Sequence, residues 1–155
     1  MNLSVAEVLK KAGSFKDVAE RVKYLKDNQS KALKAVIYFT YAKEVKWLIP
    51  ETDPPYKAST PEQDLQNVLK ASYNKLRIYV KNGGYDNMSR TKREMNFIEW
   101  LESLDCEDAK LILAIRHGEM PFPGITRHVA KKAFPDIAGN FKWCGIIWFM
   151  LKLQY

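Results

Sequence analysis

Apolar residues recur along this chain at intervals of three and four, the period of a helix with one buried face. Phe15, Val18, Val22 and Leu25 form one such stripe, and Leu33, Ile37 and the Tyr38/Phe39 pair form another. Leu65, Val68, Leu69, Tyr73, Leu76 and Val80 form a third, and Phe97, Trp100, Leu101 and Leu104 a fourth. Start and stop signals frame the stripes. Ser4 precedes VAEVLKKA with Glu7 three positions on, a capping-box pattern, and Gly13 closes that helix. Ser14, with Asp17 at the same offset, is expected to cap the next helix, which ends at Asn28. Ser30–Tyr41 reads as a third helix, and Val45–Ile49 as a short turn.

Pro50–Pro61, PETDPPYKASTP, is too rich in proline for regular structure and reads as a surface loop pinned by Tyr56. Thr60 then caps a long helix expected to run from Pro61 to the Asn82-Gly83-Gly84 stop. Ser89 opens the next helix, and Asp105 caps a short one, CEDAKLILAIRH, that Gly118 ends. GEMPFPG is a rigid turn, and Gly124 or Thr126 opens ITRHVAKKAF, which Pro135 terminates. The final segment, FKWCGIIWFMLKLQY, fits either a helix or a strand. No strand-type alternation and no internal repeat occur elsewhere. The expectation is an all-α, compact multi-helix bundle over residues 1–138, with an aromatic segment, 139–155, packed on the same domain.

With 155 residues, 46% of them hydrophobic, the chain is long enough to bury a core. No apolar run approaches the ~20 residues of a membrane helix, and the amphipathic N-terminus lacks a secretory apolar core, so a cytosolic location is expected. Cys106 and Cys144 have neither metal-ligand nor disulfide spacing and read as small core-facing residues. Net charge changes the picture more. At +7 it favours a polyanionic partner. Lys75, Arg77, Lys81, Arg90, Lys92 and Arg93 lie close together in sequence, opposed only by Asp86. Arg116, Arg127, Lys131, Lys132, Lys142 and Lys152 populate the last forty residues. Between them is an acidic island, Glu99, Glu102, Asp105, Glu107 and Asp108, which reads as solvated helix surface with Asp105 as a cap.

No enzyme signature is present. Gly83-Gly84 reads as a helix C-cap, and His117 and His128 lack the partners of a metal site, so no catalytic residue, metal or cofactor is expected. The chemistry that remains is phosphate binding. A helix start offers unpaired N–H groups and partial positive charge, here with Gly124, the Thr126 hydroxyl, Arg127, Lys131 and Lys132. Arg127 and Lys131 are four apart and share a helix face. Such contacts hold the backbone without reading bases.

The segments EVKWLIPETDPPYK, MSRTKREMNFIEWLESL and EDAKLILAIRHGEMPFPGITRHVAKKAFPDI resemble a family of small proteins of unassigned function from T-even-like phages. The resemblance covers roughly residues 5–137. The order of elements is also similar to the helical N-terminal DNA-binding domain of the T-even phage ATP-dependent DNA ligase. A helix finishing in Arg116, a turn with Gly124, the hydroxyl of Thr126, and a helix closed by Phe134 and Pro135 carry that similarity. Pro121-Phe122-Pro123 makes the turn longer than in the ligase domain, and the nucleotidyl-accepting Lys-x-Asp-Gly motif is missing. What the resemblance implies is sequence-independent duplex DNA binding without ligation, in the host cytoplasm and accessory to replication or repair. The site would comprise Arg116, Gly124, Thr126, Arg127, Lys131 and Lys132, with Arg90, Lys92 and Arg93 adding charge. The alternative is a protein-interaction module that engages a host or phage protein through Trp143, Trp148, Phe149 and Tyr155. Duplex RNA is a third partner that phosphate contacts alone do not distinguish.

Overall fold

The computed structural model describes residues 3–42, 45–60 and 62–135. Among these the protein is all-α, with helices α1 (Val5–Ser14), α2 (Val18–Asp27), α3 (Lys31–Tyr41), α4 (Val68–Ser72), α5 (Arg90–Ser103), α6 (Cys106–Ile115) and α7 (Arg127–Ala133). A 3-10 segment, Tyr73–Tyr79, continues α4. The final aromatic segment, expected to pack on the same domain, lies outside the described residues.

Side-chain caps fix most helix starts, because each satisfies a main-chain N–H that has no partner within the helix. Ser4, Ser30, Ser89 and Thr126 accept from the N–H three residues on, and Asp17 and Asp105 from the N–H two residues on. The cap of α2 is therefore Asp17, not Ser14. Helix α1 runs on through Ser14, whose hydroxyl donates back to the Lys11 carbonyl at 2.6 Å.

The long helix expected from Pro61 does not form. Gln63 N–H bonds the Thr60 carbonyl, but Leu65 N–H turns back to the Gln63 carbonyl, so no helical ladder follows. Helix begins only at Val68 and tightens to 3-10 after one turn. The reason lies in the apolar spacing: Tyr73, Leu76 and Tyr79 are all buried and each three apart, which suits three residues per turn. Tyr79 stacks on Trp100, ring centroids 5.5 Å apart, and the Trp100 Nε1–H donates to Ser72 Oγ at 2.9 Å. Residues 45–49 are extended rather than a turn. Trp47 and Val80 form an antiparallel bridge, with Leu48 N–H to Tyr79 O and Lys81 N–H to Lys46 O.

Helix α3 is buried from Ala32 to Thr40 except at Lys34, so it is the central helix. It packs on α4, α6 and the 3-10 segment, while α1 packs on α2 and α6, and α2 on α7. One apolar cluster joins Leu9, Leu33, Phe39, Trp100, Ile112 and Val129 from several elements. Phe97, Trp100, Leu101 and Leu104 are all buried, as the sequence pattern indicates. Cys106 is only half-buried.

Candidate nucleic-acid interface

The arginines expected to face a phosphate point mostly at the protein's own main chain. Arg116, 7% exposed, ends α6 and directs its guanidinium under the Pro-rich loop. Nη1 donates to the carbonyls of Pro50 and Thr52, and Nη2 pairs with Asp53 Oδ1 at 2.6 Å. Burial lowers its pKa, with Asp53 opposing. This arginine, more than the half-buried Tyr56, pins the loop. Arg93, on α5, is 6% exposed and donates to the carbonyls of Ile78, Tyr85 and Asp86.

Around the turn before α7 the same holds. Gly124 sits against α1, where a Cβ would lie 2.3 Å from the Gly13 carbonyl oxygen. Its tightness comes from packing of this turn on α1, which Arg21 reinforces by donating to the carbonyls of Phe15 and Gly124. Arg127 donates to the Tyr41 carbonyl at 2.9 Å, with its guanidinium 5.5 Å from the Tyr41 ring centroid. The Tyr41 hydroxyl in turn donates to the Ile125 carbonyl at 2.6 Å, and burial pushes its pKa up to about 12. Together these bonds tie the end of α3 to the start of α7. Thr126 is exposed and caps α7.

Four predicted cations remain on the surface. Lys131 and Lys132 are exposed on α7, and Arg90 and Lys92 on α5, where Arg90 pairs with Glu94 at 2.9 Å. The first set sits on a helix packed against α2, the second on a helix packed against the 3-10 segment. Sequence reading missed the partners of Lys132. An open groove between α2 and α7 is lined by Lys132, Lys23 and Lys26, with Val18, Ala19 and Val22 beside them. Lys23 and Lys26 are three apart in α2, the spacing that could have revealed a shared face. Asp17 and Asp27 also line this groove, with Asp17 engaged as the α2 cap.

The acidic island contains two residues that are not surface, Asp105, which caps α6, and Asp108. Asp108 is fully buried; Oδ1 accepts from Ala6 N–H in the first turn of α1 at 2.9 Å, and Oδ2 has no partner among the described residues. Glu102 is exposed and accepts from Lys57 N–H at 3.0 Å, adding a second tether for the Pro-rich loop. No group of three or more His, Cys, Asp or Glu residues that could hold a metal occurs among the described residues.

A model for one protein family matches residues 8–121, from within α1 to the turn after α6. The chain belongs to that family. It is described as a family of unknown function, DUF6433. No curated protein and no solved structure matches the chain. The matched span carries the Arg116 and Glu102 tethers of the Pro-rich loop and the Lys23/Lys26 side of the groove, while α7 lies beyond it. No helix among the described residues is long and apolar enough to cross a membrane.

Proposed function

We propose that this protein binds duplex DNA without enzymatic action and without sequence preference, through phosphate contacts on the α2–α7 face. The observation that carries the reading is the convergence of Lys23, Lys26 and Lys132 on one groove, beside exposed Lys131, in a chain of net charge +7. Lysines are mobile, strongly hydrated point charges, suited to a polyanion's field and poorly suited to bidentate reading of a base. The similarity of element order to the phage ligase domain supports the same partner, and with it a phage protein acting in the host cytoplasm, accessory to replication or repair.

The groove differs from the ligase-derived site. Arg93, Arg116 and Arg127 are main-chain donors here and are left out of the interface, as is Gly124. Fluorescence anisotropy of a labelled nicked duplex at several salt concentrations tests the reading. Micromolar binding is expected, with a log–log salt slope of about −4 to −5 if about five phosphates are neutralised. An absence of binding at low salt overturns it. The alternative would then be the interaction module built on Trp143, Trp148, Phe149 and Tyr155, to be sought by capture from host lysate.

A further inference from the structure

Among the described residues only two large apolar side chains are exposed, and one of them, Tyr85 (41% exposed), stands on a loop braced by several side chains. That loop, residues 81–89, joins the 3-10 segment to α5. Asn82 and Gly84 take positive φ, 65° and 99°. Asn82 N–H is held by both carboxylate oxygens of Asp86 at 3.0 Å. Gly83 has no room for a Cβ, which would fall 2.0 Å from the Arg77 carbonyl oxygen. Two arginines complete the bracing. Arg77 donates to the Gly83 carbonyl at 3.0 Å, and Arg93 donates to the Tyr85 carbonyl at 2.8 Å and also to that of Asp86.

Such bracing orders the main chain that carries a ring outside the core. The Arg77 guanidinium lies 5.8 Å from the Tyr85 ring centroid, so the ring is backed by a cation while remaining open to solvent. Lys81 at one end of the loop, and Arg90 and Lys92 just past the other, are exposed. An aromatic face held rigid, backed by charge and flanked by cations suits a planar π-system carried on a polyanionic strand. In the interior of a duplex the bases are stacked on one another and offer no free face.

We propose that the 81–89 loop is a stacking platform for an unpaired base of single-stranded DNA, with Tyr85 taking the base and Lys81 and Lys92 the flanking phosphates. The inference rests on the DNA reading above but adds a second site, which binds a different form of the polymer.

The test uses the full chain and a fifteen-nucleotide oligo-dT with 2-aminopurine at its centre, beside a blunt duplex of equal length. Wild-type protein is expected to bind the single strand and quench the 2-aminopurine. Tyr85→Ala should weaken single-strand binding roughly five-fold to a hundred-fold, the range of one base–aromatic stack, and leave duplex binding unchanged. Tyr85→Phe, which keeps the ring, should bind as wild type. Tyr85→Leu keeps the bulk and the carbonyl that Arg93 uses, and serves if the alanine variant loses its cooperative melt. Duplex binding without single-strand binding overturns this inference alone. Single-strand binding that survives both Tyr85→Ala and Tyr85→Leu also overturns it, as does tighter binding of a ribo-oligonucleotide of matching sequence. Failure of the duplex alone overturns the α2–α7 reading instead.

Discussion

Asp108 shows how one residue can carry a consequence its neighbours in sequence do not. It sits fully buried where α6 meets α1, and burial pushes its pKa from 3.8 up to about 7. The Ala6 N–H opposes that shift, Asp105 and Glu7 add to it, and Lys70 lessens it. A carboxyl whose folded pKa is raised favours the folded state below its unfolded pKa. That contribution is lost as pH rises through the folded value, here between about 4 and 7. Asp108→Asn keeps an oxygen for Ala6 N–H and cannot ionise. The variant is therefore expected to gain stability over wild type between pH 5 and 8, by at most about 4 kcal/mol. Denaturant titrations at the two pH values measure this, and parallel curves for both proteins would remove Asp108 as the cause. Arg116 works in the opposite sense, as a charge that holds structure. Arg116→Met leaves the Pro50 and Thr52 carbonyls without their donor and is expected to cost about 2–3 kcal/mol. Faster proteolytic cleavage within residues 50–56 should accompany the lower melting temperature, with the DNA salt slope unaltered.

Legibility at the scale of elements follows how local each signal is. Ser4, Ser30, Ser89, Asp105 and Thr126 announce their helices because a cap acts within three residues of itself. The Pro61–Val80 stretch misleads because Leu65, Val68, Leu69, Tyr73 and Leu76 fit a period of 3.6. Burial of Tyr73, Leu76 and Tyr79, with Tyr79 stacked on Trp100, is a long-range fact that no window on the sequence contains. Gly124 is legible as a tight turn but not for its reason, which is the approach of α1. Its counterpart Gly13 separates the two ideas. A Cβ on Gly13 meets its nearest neighbour at 3.6 Å, ordinary contact, whereas on Gly124 it would meet main chain at 2.3 Å. Gly13→Ala, within α1, should therefore be neutral or stabilising by up to about 1 kcal/mol. Gly124→Ala should destabilise by about 2 kcal/mol or more, since main chain must move. Thermal denaturation of the pair decides it; equal shifts would mean the turn does not rest on α1.

At the scale of the whole molecule the two kinds of basic residue divide their work. Of the six arginines, Arg21, Arg77, Arg93, Arg116 and Arg127 each donate to a main-chain carbonyl, and Arg90 pairs with Glu94. The planar five-donor fork suits that bracing, and a lysine cannot replace it. The outward field is consequently a lysine field, which sequence charge counts could not reveal, because they weigh a braced guanidinium and a solvated ammonium alike. If that field holds DNA, replacing Lys23, Lys26 and Lys132 together by Gln should flatten the salt slope by about two to three units, near 0.9 for each phosphate no longer neutralised. Stability should hardly change, because Lys23, Lys26 and Lys132 are exposed. Reductive methylation of the wild-type lysines sharpens the point, since it keeps every charge and should leave binding intact, whereas acetylation removes the charges and should abolish it. Binding that survives acetylation would return the interface to the arginines, and with it the bidentate base contacts that a lysine surface does not provide.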